Sequence, residues 1–313
     1  MGPTGIGKSA LAVALAERVP AEIVSVDSVM VYRGMDIGTA KPTPAERARV
    51  PHHLLDIRDP AEPYSAAEFA HDARAVIGEI LGRARLPILV GGTFLYFRAL
   101  IDGLSPMPPA DPDVRETIRE RARREGWSAL HRELAALDPE TTARIHAHDR
   151  QRLERALELY RLSGEPPSRL HAEAGERADF DFRKCALLPE DRSALDERLE
   201  SRFVAMLEQG LVEEVRALYG REDLHRELPA LRSVGYSQML AWLAGDCGYD
   251  EASRRAVVAT RRYAKRQLTW LRRERDCSAI RVDARDSEPW APKALKQIYE
   301  QAFEGASHAK MNP

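Results

Sequence analysis

Gly2-Pro3-Thr4-Gly5-Ile6-Gly7-Lys8-Ser9 follows directly on Met1 and has the spacing G-x-x-x-x-G-K-S. At that spacing a glycine-rich turn points successive backbone N–H groups inward, while the lysine and the hydroxyl after it reach phosphate and Mg²⁺. Residues 9–18 read as a helix, so the positive end of its dipole would also face the anion. A merely flexible glycine-rich terminus is the alternative, and the helical pattern directly behind weighs against it. The loop predicts a phosphate site without saying which phosphate. Such a loop ordinarily joins a buried strand to a helix, and here only Met1 precedes Gly2. The expectation is a start further upstream; the alternative is another segment at the centre of the sheet.

Outward from the loop, residues 22–26 alternate with β-branched side chains and predict a strand ending at Asp27. Residues 27–42 have no stable period and predict a long functional loop. A short strand is expected at 53–57. Ser65 and Glu68 form a capping box opening a helix with Phe69, Val76, Ile77, Ile80 and Leu81 on one face. Residues 87–90 are a continuous apolar run suited to a buried parallel strand, followed by Gly91-Gly92-Thr93 and a helix to about Ile101. Strands alternating with helices predict an α/β fold, a P-loop NTPase-like parallel sheet flanked by helices, with ligands beyond the carboxyl ends of the strands. Asp27 and Thr93 occupy two such ends, and the loop at Gly2 would bring a third to the same crevice.

Prolines and glycine cluster at 103–112, and from there to about residue 170 the period is helical. A helical insertion is therefore expected at 105–182, between core segments 1–104 and 183–313. Glu165-Pro166-Pro167 ends one of its helices, and 172–181 is polar enough for a hinge. Strand character returns at 183–188. The longest helix is predicted at 251–275, a last strand at 280–282, a last helix at 293–303 and a loose tail at 305–313.

Among 313 residues, 47 are basic and 49 acidic, a formal charge of −2 that carries no overall nucleic-acid signature. Apolar runs such as 86–90 are too short to cross a bilayer, and the first twenty residues lack the order of a signal peptide; a cytoplasmic protein with no membrane partner is expected. Cys185, Cys247 and Cys277 are widely spaced with no C-x-x-C pair, which supports neither a disulfide framework nor a zinc finger.

Asp27, directly after the first strand, could coordinate Mg²⁺ through water or accept a proton from a nucleophile; capping a turn is the plainer alternative. Asp56 is a weaker match to the metal-binding acid of ATPases, and capping the turn into Asp59-Pro60 is an equal alternative. The pairs His52/His53 and His146/His148 lack a third ligand at sensible spacing. Arg198 and Arg202 are spaced i,i+4 on a helix whose buried side is Leu195, Leu199, Phe203 and Met206. They could clamp a pyrophosphate, or pair with Asp196 or Glu200. Arg152 and Arg155 share a helical face. The late helix carries Arg254, Arg255, Arg261, Arg262, Lys265, Arg266, Arg272 and Arg273 with Tyr263 and Trp270. Few acids interrupt them, a composition suited to a nucleic-acid backbone and unstacked bases.

Together these stretches resemble the tRNA dimethylallyltransferases of bacterial type. The matching segments are the glycine-rich loop, the loop from Asp27 through Tyr32-Arg33-Gly34-Met35-Asp36-Ile37-Gly38-Thr39-Ala40-Lys41-Pro42, Gly91-Gly92-Thr93, Gln151-Arg152-Leu153, Val234-Gly235-Tyr236 and Lys265-Arg266-Gln267-Leu268-Thr269-Trp270-Leu271-Arg272. The resemblance implies transfer of a dimethylallyl group from its diphosphate to the exocyclic amine of the adenosine immediately 3′ of the anticodon. It implies that the loop from Thr4 to Ser9, with Lys8, binds diphosphate, that Mg²⁺ sits near Ser9, and that Asp27 takes the amine proton. Ser28, Val29, Met30, Thr93 and Arg115 match positions at the tRNA, as do Gln151, Arg152, Leu153, Glu154 and Arg155, then Arg232, Ser233, Val234, Gly235, Tyr236 and Ser237, and the Lys265 to Arg272 segment. The insertion is then expected to bind the tRNA anticodon stem-loop, and the protein to act as a monomer. Ser237 stands where the family usually has arginine, and the stretch between Asp181 and Leu188 is short. A P-loop kinase of a nucleoside or small metabolite is the rival class; it leaves the basic helix without a task.

Overall fold

The computed structural model describes residues 1–172, 177–285 and Lys296. Two compact units divide the chain, Met1–Ile101 together with Asp179–Pro313, and Asp102–Ala178. In the first, α1 (Lys8–Ala16), β1 (Ala21–Val26), α2 (Pro44–Arg49), β2 (His52–His53), α3 (Ala66–Gly82), β3 (Leu86–Gly91) and α4 (Phe94–Ile101) follow in order. The three strands are parallel in the order β2-β1-β3, with Ile23 opposite His52 on one side and Ile88 on the other. Parallel neighbours need crossover connections, and the helices between them supply these. The result is an α/β fold, a small parallel sheet flanked by helices. All six residues of β1 are buried, as its central place requires.

Both halves of the capping box form at α3: Glu68 N–H donates to Ser65 Oγ, and the Glu68 carboxylate accepts from Ser65 N–H. The helix buries Phe69, Ala70, Ala73, Ile77 and Ile80. Leu81, assigned to that face by its period, is instead 47% exposed; it lies in the last turn, beside a cavity. The strand expected at 53–57 shrinks to His52–His53, because Leu54 and Asp56 have φ of 59° and 58°, a left-handed conformation that extended pairing excludes.

The second unit is α5 (Pro112–Glu125), α6 (Trp127–Leu137), α7 (Pro139–Arg144), α8 (Arg150–Ser163) and α9 (Pro167–Ala172), with no strand among its described residues. Asp111, Asp138 and Asp149 cap α5, α7 and α8 by accepting first-turn N–H groups. Ile118, Leu130, Leu134, Leu153 and Leu157 form its core. Beside it lies the fully buried carboxylate of Glu158. It accepts from Arg115 at 2.8 and 3.0 Å, from Arg155 at 2.6 Å and from the Asp111 N–H at 2.8 Å. A buried charge is tolerated only when matched and hydrogen-bonded in this way.

Back in the first unit come β4 (Lys184–Pro189), α10 (Arg192–Glu208), α11 (Leu211–Tyr219), α12 (Tyr236–Leu243), the 23-residue α13 (Tyr249–Leu271) and β5 (Cys277–Val282). β4 and β5 form a separate parallel ladder. Ile6, Leu11, Leu187, Leu195, Leu199 and Ile280 join α1, α10 and this ladder in one core. β3 and β4 are not paired with each other, and an apolar cavity of about 480 Å³ borders both. That cavity leaves 86–90 half-buried, where the apolar run predicts full burial. Met1 donates its amine to the Cys185 carbonyl at 2.7 Å and accepts from Leu187 N–H at 2.9 Å, so the backbone enters Gly2 hydrogen-bonded to β4. Apart from Lys296, the helix expected at 293–303, the tail at 305–313 and positions 173–176 of the hinge lie outside the described residues.

Candidate active site

Gly5 and Gly7 take φ of 79° and 95°, where a side chain would be strained. A Cβ on Gly5 would also come within 2.6 Å of Leu199, so α10 packs closely on the turn. Gly7 caps α1 without a side-chain bond, leaving the first-turn N–H groups open towards the loop. Ser9 lies exposed on that turn. Lys8 Nζ donates to the Pro3 carbonyl at 2.7 Å. Burial, and then the charge of Arg202, bring Lys8 down to about 7, with Asp27 opposing.

Arg202 enters from α10, its Nη1 3.4 Å from Thr4 Oγ1. Burial pushes its pKa down, Asp27 raises it and Arg198 lowers it. Arg198 donates to the Ala284 carbonyl at 3.0 Å. Glu200, one of the acids that could have paired with these arginines, instead takes Arg261 at 2.6 Å, and the Asp196 carbonyl accepts from the same guanidinium. Arg202 thus feels the charges of both Lys8 and Arg198, and Asp27 acts on Lys8 and Arg202 in the opposite sense. Cations held together against their own repulsion raise the local positive potential.

Asp27 Oδ1 accepts from Val29 N–H at 2.8 Å and Met30 N–H at 3.2 Å. One oxygen therefore does cap the turn; Oδ2 makes no hydrogen bond among the described residues. Ser28 N–H donates to Thr93 Oγ1 at 3.2 Å, joining the ends of β1 and β3. Only glycine fits at Gly91, where a Cβ would fall 1.9 Å from the Val26 carbonyl oxygen.

Two anchors hold the long loop after Asp27, and neither is evident from sequence spacing. Buried Lys41 donates to the Tyr32 carbonyl, Asp36 and Asp56 at 2.6–2.7 Å. Glu214, on α11, accepts from the N–H groups of Asp36, Ile37 and Gly38 and from the Tyr236 hydroxyl. Asp56 is a correction: burial would raise it, but Lys41 and Arg47 hold it below the usual carboxylate range as an ion-paired strut. His52 bonds the Val50 carbonyl and His53 bonds Glu22, and no cluster of three metal-ligating side chains exists among the described residues.

The segments matched to tRNA contacts divide by exposure. On α13, Lys265, Arg266, Thr269 and Trp270 are exposed, as is Arg272 at its C-cap; Leu268 is half-buried, and Gln267 and Leu271 are buried. Trp270 stacks on Phe94 with centroids 6.3 Å apart. Arg254, Arg255 and Arg261 are paired with Glu251 or Glu200, so the run of cations is shorter than its composition suggests. Arg262, Lys265, Arg272 and Arg273 have no ion pair among the described residues. Arg232 is exposed, Ser233, Val234 and Ser237 are half-buried, and Gly235 and Tyr236 are buried. In the second unit Gln151 and Arg152 are exposed, Leu153 is core, Glu154 binds Arg119 through both oxygens, and Arg115 and Arg155 are held by Glu158.

A family model described as IPP transferase matches residues 30–274. The chain belongs to the IPP transferase family. It is 56% identical over 286 residues to the tRNA dimethylallyltransferase of Halorhodospira halophila, covering 91% of this chain and 92% of that one. The tRNA dimethylallyltransferase of Methylococcus capsulatus is 54% identical over 280 residues, 89% of each chain. Solved IPP transferases share the fold. The full-length tRNA isopentenylpyrophosphate transferase of Bacillus halodurans superposes with a TM-score of 0.71 at 37% identity, over 97% of this chain and 96% of that one. A eukaryotic dimethylallyltransferase acting on tRNA gives 0.78 at 26% identity, over 100% of this chain and 79% of that one.

Proposed function

We propose that this protein transfers a dimethylallyl group from dimethylallyl diphosphate to the exocyclic amine of the adenosine immediately 3′ of the anticodon in tRNA. The observation that carries it is the meeting of a cation-rich glycine loop with one carboxylate at the end of β1. Asp27 acts electrostatically on both Lys8 and Arg202. Leaving-group stabilisation and proton acceptance are thereby brought to one crevice.

An adenine amine is a weak nucleophile, because its lone pair is delocalised into the ring. Asp27, its Oδ1 fixed by two backbone N–H groups and its Oδ2 open, takes the amine proton as the new C–N bond forms. As the allylic C–O bond breaks, the loop N–H groups, Lys8, Arg198 and Arg202 neutralise the charge on the departing diphosphate. Thr93, bonded to Ser28, keeps the Asp27 turn against the end of β3. Exposed Trp270 and the basic residues around it suit an unstacked, single-stranded anticodon loop, and extruding the adenine costs about a few kcal/mol.

A divalent ion fits this donor set. Mg²⁺ keeps several waters and is held largely by substrate phosphates, so the Ser9 hydroxyl and, through water, Asp27 would suffice beside a diphosphate. When bound, it supplies further neutralisation of the leaving group. The kinase alternative loses its metal-binding acid, since Asp56 is tied to Lys41 and Arg47. We take the protein to act as a monomer in the cytoplasm; no helix among the described residues is long and apolar enough to cross a membrane.

The test is incorporation of labelled dimethylallyl group into unmodified tRNA, with Mg²⁺ and without ATP, beside a nucleotide-hydrolysis control. Label in the anticodon loop is expected. ATP turnover without labelled tRNA would instead favour the kinase reading.

A further inference from the structure

Gln267 falls in a segment matched to tRNA contacts, yet its side chain is only 3% exposed and faces inward. Its Oε1 accepts from Thr4 N–H, in the glycine loop, at 2.7 Å. Its Nε2 donates to the Gly92 carbonyl, just past β3, at 2.9 Å. Close fit accompanies these bonds: a Cβ on Gly92 would come within 2.2 Å of Nε2 and 3.2 Å of the Gly2 carbonyl oxygen. One turn earlier on α13, the Tyr263 side chain lies beside both Thr93 and Gln267. Thr93 in turn accepts from Ser28, beside Asp27. One turn later Trp270 stacks on Phe94. A single face of α13 therefore reaches the diphosphate loop on one side and the β3 turn that holds Asp27 on the other.

The polarity of this bridge is set by the main chain. Thr4 N–H can only donate and the Gly92 carbonyl can only accept. The residue between them must offer one acceptor and one donor on a planar group at the end of two methylenes. A glutamine amide meets this demand, as would a glutamic acid while it stays protonated; a carboxylate would meet half of it and set its second oxygen against a carbonyl.

We propose that Gln267 is a positioning residue for prenyl transfer, setting the separation between the diphosphate loop and the Asp27 turn rather than contacting tRNA. The inference rests on the transferase function proposed above. A displacement of about 1 Å between reacting groups can cost about 100-fold in rate, and loss of the bridge frees the two loops to move apart by such amounts.

The experiment compares wild type, Gln267→Glu and Gln267→Met from pH 5.5 to 8.5, measuring kcat and KM for both substrates, tRNA binding and thermal melting. At pH 8, Gln267→Glu should lose about 100-fold in kcat/KM while binding tRNA as wild type does. Its activity relative to wild type should recover as pH falls, because the protonated carboxyl restores both acceptor and donor. Gln267→Met, equal in length but apolar, should be impaired at every pH with no relative recovery. Should the glutamate variant fail to fold, the methionine variant decides alone: impaired transfer with a wild-type tRNA affinity supports positioning, and unchanged kcat and KM overturn it. A Gln267→Glu profile parallel to wild type, or a loss confined to tRNA affinity, would also overturn it. Wild-type protein that transfers no label would sink the transferase function itself, and this inference with it.

Discussion

Arg202 and Arg115 are the same side chain in opposite surroundings. Arg115, on α5, meets the buried Glu158 through two parallel bonds at 2.8 and 3.0 Å, and Arg155 meets the same carboxylate. Arg202, on α10, has a threonine hydroxyl at 3.4 Å, with Lys8 and Arg198 close enough to oppose its charge. In the helical unit Arg115, Arg119 and Arg155 are answered by Glu154 and Glu158, and these charges serve stability. Around the glycine loop Lys8 and Arg202 oppose each other and share Asp27, an arrangement suited to the diphosphate proposed above. Composition alone cannot separate these roles, because both regions read as arginine-rich helices.

The comparison can be broken in several places. Asp27→Asn should have the largest effect, lowering transfer by about 100-fold or more while tRNA binding persists; single-turnover transfer and a filter-binding assay together check this, and unchanged turnover would remove Asp27 as the base. Glu158→Ala should cost about 3 kcal/mol of stability by stranding two arginines against a buried site, seen as a shift in denaturant midpoint. Arg202→Ala should do the reverse: no loss of thermal stability, because it relieves repulsion, but a loss of about 10- to 100-fold in diphosphate affinity through one missing charge-assisted bond. Equal destabilisation by the two variants would erase the distinction.

Protonation sharpens the same contrast. Folding lowers Lys8 from 10.5 to about 7, so between those values the unfolded chain holds the extra proton. Lys8 therefore opposes folding most fully below pH 7, and this penalty fades as pH rises towards 10.5. A bound diphosphate favours the charged form, so affinity should fall by up to about tenfold per pH unit above 7, relative to Lys8→Met. Calorimetry in buffers of different ionisation heat would register the proton taken up. The smallest effect is expected on α13, where Lys265→Ala or Arg272→Ala should each reduce the slope of log affinity for tRNA against log salt by about 0.7.

Much of the geometry around the glycine loop was legible because its determinants are local. The loop spacing, the helix behind it, the strand before Asp27 and the capping box at Ser65 all depend on neighbours within a few residues. What escaped depends on distant partners. Glu158 sits in α8, a helix polar enough to be read as solvated, and only α5 reveals that its carboxylate is interior. Glu214 meets Ile37 across 177 positions, and nothing in Leu211–Tyr219 distinguishes it from Glu213. The two-residue β2 was overread because an apolar pair predicts extension, whereas the left-handed turns at Leu54 and Asp56 are set by the anchoring of Asp56 to Lys41 and Arg47. The family resemblance placed Gln267 in a tRNA segment because a motif reports sequence position, while burial follows from which way that turn of α13 faces.

The bond from Gln267 to Thr4 spans 263 positions, and this has a consequence in time. At about 5–20 residues per second of synthesis, roughly 13 to 50 s separate the emergence of the glycine loop from that of the helix that braces it. The helical unit, built from contacts within 102–178, can assemble during that wait. The glycine loop is translated well before the helix that braces it, so a nascent chain holds the parts of the site long before it holds the site.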